Sequence, residues 1–177
     1  MKRIIPAFAA VLTVSALILK PAAAAPGPTL PVLGGPNSII GGVFLPSGDA
    51  KRNGGSAQID VDFRYGLPLP NLIAPTRTVF SLGVETGAHD GNHSTIVPLT
   101  VSQVFSLNGG SPFAPGAFYA GVGIGGYLEN ESGISSSVRV GGLVNAGYNF
   151  TDSIFLDAKY QLVEHGNGAV VAVGLRF

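Results

Sequence analysis

Along most of the chain, apolar and polar residues change places at every step. In QIDVDFRY (58–65), Ile59, Val61, Phe63 and Tyr65 share one face, and Asp60, Asp62 and Arg64 share the other. IFLDAKYQL (154–162) sets Ile154, Leu156, Ala158, Tyr160 and Leu162 against Phe155, Asp157, Lys159 and Gln161. AVVAVGLRF (169–177) sets Ala169, Val171, Val173, Leu175 and Phe177 against Val170, Ala172, Gly174 and Arg176. A period of two means strand, because successive side chains leave opposite faces of the pleat. The same texture runs through 78–88, 95–105, 117–128 and 137–150, and a less clearly phased strand covers 38–45. Glu164-His165-Gly166-Asn167-Gly168 reads as a hairpin connection, since Asn-Gly supplies the positive-φ positions of a tight turn. Connections at 46–56, 66–77, 89–94, 106–116, 129–136, 151–153 and 164–168 predict eight strands in up-and-down order. Each is long enough to cross a bilayer with tilt.

The start of the chain follows another pattern. Met1-Lys2-Arg3 is basic, residues 4–19 are apolar, and Pro21-Ala22-Ala23-Ala24-Ala25 is small. This is the layout of an export signal, with cleavage expected after Ala24. Lys20 ends the apolar run before it reaches the length of a membrane span. Residues 25–37, with Pro26, Pro28, Pro31 and Pro36, read as a flexible lead-in, which leaves 38–177 for the fold.

Composition decides which face of the strands is wet. Of 177 residues, 46% are hydrophobic and only 11% are charged, against about 25% charged in an ordinary soluble domain. A soluble eight-stranded barrel of the lipocalin kind would turn its apolar face inward and need a richly charged exterior. The polar faces here hold only Asp60, Asp62, Arg64, Glu85, Arg139, Asp157, Lys159 and Arg176. Turned inward, these acids and bases pair with one another in the lumen, and the apolar faces meet lipid. A charge on the lipid face would cost up to about 2–4 kcal/mol at the midplane. Past residue 25 no apolar run is long enough for a spanning helix, so a closed barrel is the remaining way across. The expected fold is all-β: an eight-stranded antiparallel up-and-down transmembrane β-barrel, preceded by a signal peptide.

Charge and cysteine content exclude several function classes. Lys+Arg and Asp+Glu each number 10, which argues against a basic nucleic-acid binder. The chain is too apolar for disorder. With no cysteine it has neither disulfides nor thiolate chemistry. Loss of the signal peptide leaves an acidic excess on one set of connections, where Asp49, Asp90, Glu129, Glu131 and Glu164 face Lys51 and Arg52. If strand one runs outward, Phe63, Tyr65, Phe80, Phe105, Phe118, Tyr148, Phe150 and Phe177 gather near the opposite, short-turn end as an interfacial girdle. Phe44 and Tyr160 are the aromatics expected at the outer rim.

The signal peptide, the ending Gly174-Leu175-Arg176-Phe177 and the run Gly147-Tyr148-Asn149-Phe150 followed by Phe155-Leu156-Asp157-Ala158-Lys159-Tyr160 carry a family likeness. So do Ile96-Val97-Pro98-Leu99-Thr100 and the glycine-rich strand from Tyr119 to Gly125. Over about 38–177 the chain resembles the small outer-membrane β-barrel domains, the OmpA-like, OmpX-like and opacity-protein-like barrels. The resemblance implies an outer-membrane location reached through the periplasm, both termini in the periplasm and longer loops outside. It also implies outer-membrane lipid and the barrel-assembly machinery as partners, with Leu175 and Phe177 in the signal which that machinery reads. It names no activity. A monomer without cofactor is expected.

Four features invite a chemical reading. Gly121-Val122-Gly123-Ile124-Gly125-Gly126 matches G-x-G-x-x-G, but no helix follows to hold a pyrophosphate, so the glycines are expected to relieve crowding inside a narrow barrel. His89, Asp90 and His93, with Glu85 nearby, are candidate metal ligands on a wet connection. His93-Ser94 with Glu85 resembles a base-activated serine, although Glu85 phases inward, away from lipid substrates. Pro98 inside a strand removes a ladder hydrogen bond. The expected function is a non-enzymatic envelope-structural or surface role, with a narrow small-solute channel and a barrel-embedded lipid-modifying hydrolase as alternatives.

Overall fold

The computed structural model describes residues 37–67, 76–133 and 135–177. The expected export signal (1–24), nearly all of the lead-in and most of the 66–77 connection lie outside the described residues. The strands are β1 (Ser38–Pro46), β2 (Gln58–Leu67), β3 (Thr76–His89), β4 (Asn92–Ser106), β5 (Phe118–Glu131), β6 (Ser137–Asn149), β7 (Ile154–Leu162) and β8 (Gly168–Arg176). Each pairs antiparallel with the next, and β8 pairs with β1 to close the barrel.

Register explains the tilt of the wall. The row of partners through Ile154 passes Leu175, Ile39, Phe63, Leu82, Leu99 and Gly126 to reach Val140. It climbs as it circles, arriving on β6 beyond Leu162, the far end of β7. Such a stagger tilts the strands and closes the sheet. Every residue of this row is apolar and faces outward. Val140 is 84% exposed and Ile124 71%, whereas Asp60 and Glu85 are fully enclosed. The burial pattern is thus inside out relative to a water-soluble protein, and only hydrocarbon can cover such a wall.

Pro98 faces the lumen, and its lost N–H has a local solution. The β3–β4 register runs without slip from Leu82↔Leu99 to Glu85↔Ile96, but Gly83 and Val84 make no ladder pairing with Pro98 and Val97. A Cβ on Gly83 would lie 3.1 Å from Pro98 Cγ and far closer to an Asp62 carboxylate oxygen, so glycine leaves room for both. On its other side Pro98 keeps its partner Tyr127 on β5.

Two elements depart from the sequence reading. The connection after β1 holds a short helix, α1 (Gly48–Gly54), which lies across the mouth of the barrel with Ala50 buried. Asp49 in its first turn and Lys51 and Arg52 in its last suit the helix dipole. Phe44, expected at the outer rim, is fully buried in the lumen beside Gly168. The lumen wall of β1 and β8 is apolar (Ile40, Phe44, Val170, Ala172), which blurred the phase of β1. Connection lengths also differ from the family expectation. At the end where β1 begins and β8 finishes, 107–117 is as long as 47–57 at the other end, and the tightest turn, Asp90-Gly91, lies beside α1.

Candidate functional site

The lumen collects most of the charge. Lys159 on β7 donates through Nζ to Asp62 Oδ2 (3.1 Å) and Glu85 Oε1 (3.3 Å) and lies 3.8 Å from Asp60 Oδ1. Gln161, two residues along the same face, donates to Glu85 Oε2 at 2.6 Å. Closer to the chain termini, Arg64 forks onto Asp157 through two bonds of 2.7 and 3.0 Å. Tyr119 donates its hydroxyl to Asp157 Oδ2 at 2.6 Å, and Asn145 Nδ2 donates to the same oxygen at 3.3 Å. Arg64 also reaches Asp62 at 4.0 Å, which links the two clusters. All of these side chains arise at alternate positions of β2, β3, β5, β6 and β7, so the period of two delivers them to one space.

Two of the eight lumen charges sit elsewhere. Arg139 stands near the helix end, bonded to Glu164 (2.9 Å) and 3.9 Å from Glu129. Arg176 lies at the terminal end, where it donates to Asn149 Oδ1 and stacks 4.1 Å over the Phe155 ring. Face parity gives the side of the wall a residue occupies, not its height along a tilted strand. The central cluster is therefore four carboxylates against two cations, not a balanced set.

The mouth is also differently charged from the sequence expectation. Glu129 and Glu131 belong to β5, not to a connection, and are only 5% and 4% exposed. Asn53 of α1 donates to Glu131 at 2.9 Å, whereas Glu129 lies toward the β7–β8 connection, where a Cβ on Gly166 would come 2.9 Å from its Oε1. Without them the outward charges are Asp49, Asp90 and Glu164 against Lys51, Arg52 and Arg139, so the expected acidic surface is absent. Asp49 is further occupied by Arg52 and, at 2.6 Å, by His165. Ser47 N donates to Asn167 O at 2.8 Å, a second tie between α1 and the β7–β8 connection.

The remaining candidates separate. His89 lies 3.3 Å from its neighbour Asp90, whereas His93 Nδ1 contacts Ser132 Oγ at 2.8 Å. Among the described residues, no three His, Cys, Asp or Glu side chains are placed to hold a metal. Ser94 turns into the lumen without His93, and Glu85 is engaged by Lys159 and Gln161, so the serine, histidine and carboxylate do not meet. Gly121, Gly123 and Gly125 lie mid-strand on β5, where a Cβ on any of them would meet another atom at 2.4–2.5 Å. Phe177 is 69% exposed, and its N–H donates to Asn37 O at 3.0 Å. Leu175 pairs with Ile39 and Ile154. Phe118, Tyr148 and Phe150 stack as a cluster at the terminal end, with centroids 4.6 and 5.1 Å apart.

No family model matches this chain, and no curated protein does. Solved structures do. Neisserial surface protein A aligns with a TM-score of 0.53 at 14% identity, over 80% of this chain and 94% of that one. The Yersinia pestis outer membrane protein Ail, in a phospholipid bilayer nanodisc, aligns with a TM-score of 0.50 at 14% identity, over 81% and 99%. This is the fold of a small outer-membrane β-barrel. Together with the apolar wall, it describes a barrel whose outer surface is built to meet lipid. In such a barrel the lipid-facing surface is generic, so specific chemistry is confined to the lumen and the two rims.

Proposed function

We propose that this barrel is a non-enzymatic, monomeric protein of the outer membrane with an envelope-structural or surface role, its helix end facing outward. The observation that carries the reading is a lumen filled by its own side chains. Charged partners occupy the middle, Ile40, Phe44, Val170 and Ala172 pack beside them, and α1 covers the mouth. The cavity at the terminal end, between Arg64, Tyr119, Phe155 and Arg176, measures about 20 Å³, room for one water. A solute therefore finds no path among the described residues, and the rim at the helix end is left to meet partners. Outer-membrane lipid surrounds the wall. The barrel-assembly machinery is the partner during biogenesis, with Leu175 and Phe177 in the signal it reads.

A single-cysteine Asp90→Cys variant tests the orientation cleanly, because the chain has no cysteine of its own. A membrane-impermeant maleimide is expected to label it on intact cells. Labelling only after the membrane is broken would reverse the topology. Planar-bilayer recording tests the filled lumen: silence is expected, and steady conductance would replace this reading with the small-solute channel.

A further inference from the structure

We propose that the terminal end of the lumen binds one monatomic anion of the halide class, chloride in practice, between Arg64 and Arg176 and beside Ser38. Register brings the three residues together. Ser38 on β1 is the partner of Arg64 on β2 and of Arg176 on β8, and all three belong to the inward face. Residues directly opposite on neighbouring strands stand about 4.5–5.5 Å apart at Cβ, so two guanidiniums flank one hydroxyl. The same three residues, with Tyr119, line the cavity of about 20 Å³ at that end.

Arg176 is the lumen cation left without an acid. Lys159 has three carboxylates within 3.8 Å, Arg64 is forked onto Asp157, and Arg139 is bonded to Glu164. Among the described residues no carboxylate pairs with Arg176, although it is only 8% exposed. Its guanidinium lies 4.1 Å over the Phe155 ring and 5.1 Å over that of Phe113. It reaches only neutral oxygens, Asn149 Oδ1 and, at 3.5 Å, Phe113 O. A guanidinium has five N–H donors, so some remain unspent, and a buried charge is costly unless it is paired.

The serine is an independent sign. It is 4% exposed, and among the described residues its hydroxyl makes no hydrogen bond. Tyr119 gives its proton to Asp157, which Arg64 and Asn145 also enclose. The unspent polar groups around the cavity are therefore mainly donors, beside a surplus positive charge. Its other walls are the apolar residues Val79, Val104, Phe113 and Phe155, where a low dielectric strengthens the pull of a guanidinium on an anion. About 20 Å³ exceeds the roughly 10–15 Å³ that one water needs, so a single atom somewhat larger than water fits and a tetrahedral oxyanion does not. Water would satisfy the donors but leave Arg176 unpaired; a halide does both. Bound there, it ties β8, β1 and β2 across the junction where the last strand meets the first.

The full chain is refolded in detergent in sodium gluconate, and the NMR linewidth of chloride is followed as chloride is added. Excess broadening that saturates is expected; bromide displaces it, and sulfate at the same ionic strength does not. Arg176→Gln is expected to weaken the site about tenfold or more, and Ser38→Ala several-fold, each through the loss of a charge-assisted bond. A heat-modifiable gel shift reports that each variant is folded, independently of binding. No saturable broadening by the wild type would overturn the proposal. Displacement by sulfate as readily as by bromide would do the same, because it places the ion on an open surface. So would wild-type affinity in a folded Arg176→Gln variant or, where that variant does not fold, in Ser38→Ala.

Discussion

Two charge clusters share one lumen, and they are built to different standards. Around Asp157, a guanidinium fork, a phenol and an amide converge on one carboxylate. Around Lys159, a single ammonium is spread over Asp60, Asp62 and Glu85, and both oxygens of Asp60 lack a hydrogen-bond partner. The contrast follows from the cations. Arginine presents a rigid planar fork that matches a carboxylate, whereas lysine is a point charge with three donors. A buried pair stabilises only when its geometry recovers the lost hydration. Rigidity is therefore expected to reside in the Arg64–Asp157 cluster, while the Lys159 cluster is the strained partner.

Substitutions can break this contrast. The largest effect belongs to Lys159→Met, which leaves three buried carboxylates facing one another; a loss of about 3–5 kcal/mol is expected in urea unfolding from lipid vesicles. Next comes Arg64→Lys, which keeps the charge but loses the fork. It is expected to cost about 1.5–3 kcal/mol in the same measurement, and a neutral result would remove the special standing of the Asp157 cluster. Tyr119→Phe deletes one of four bonds to Asp157 and is expected to cost about 1 kcal/mol. Smallest, and of opposite tendency, is Asp60→Asn: it loses no hydrogen bond and removes one charge that only the shared Lys159, 3.8 Å away, offsets, so stability should stay within about 0.5 kcal/mol or rise. A loss above about 2 kcal/mol there would mean that Asp60 is as well partnered as Asp157.

The strands were legible wherever one face was uniformly apolar and the other uniformly polar, as in β2 and β7. They blurred in β1, because Ile40 and Phe44 are apolar residues that face inward, so both faces read alike. Membership of the lumen was legible for the same reason, yet partners within it were not. Arg139 and Arg176 share a face with the cluster but lie at opposite ends of it, and height on a tilted strand depends on a register that sequence alone leaves open. Glu129 and Glu131 read as part of a connection, because strand ends are the least marked part of an alternating pattern. The helix α1 carried a faint signal: Ser47 ahead of Asp49, Ala50 as its buried face, and Lys51-Arg52 before a closing glycine. At seven residues it is too short to register as a periodicity.

The interrupted β3–β4 ladder beside Pro98 bears on how the wall would yield. In hydrocarbon no water can replace a missing backbone bond, so a continuous ladder is held shut along its whole length. Between Leu82↔Leu99 and Glu85↔Ile96 that closure lapses for two residues on each strand. The barrel therefore carries a seam, and amide exchange in a bilayer is expected to begin at whichever of Gly83 and Val84 turns its N–H toward β4, before it reaches the uninterrupted β4–β5 wall alongside.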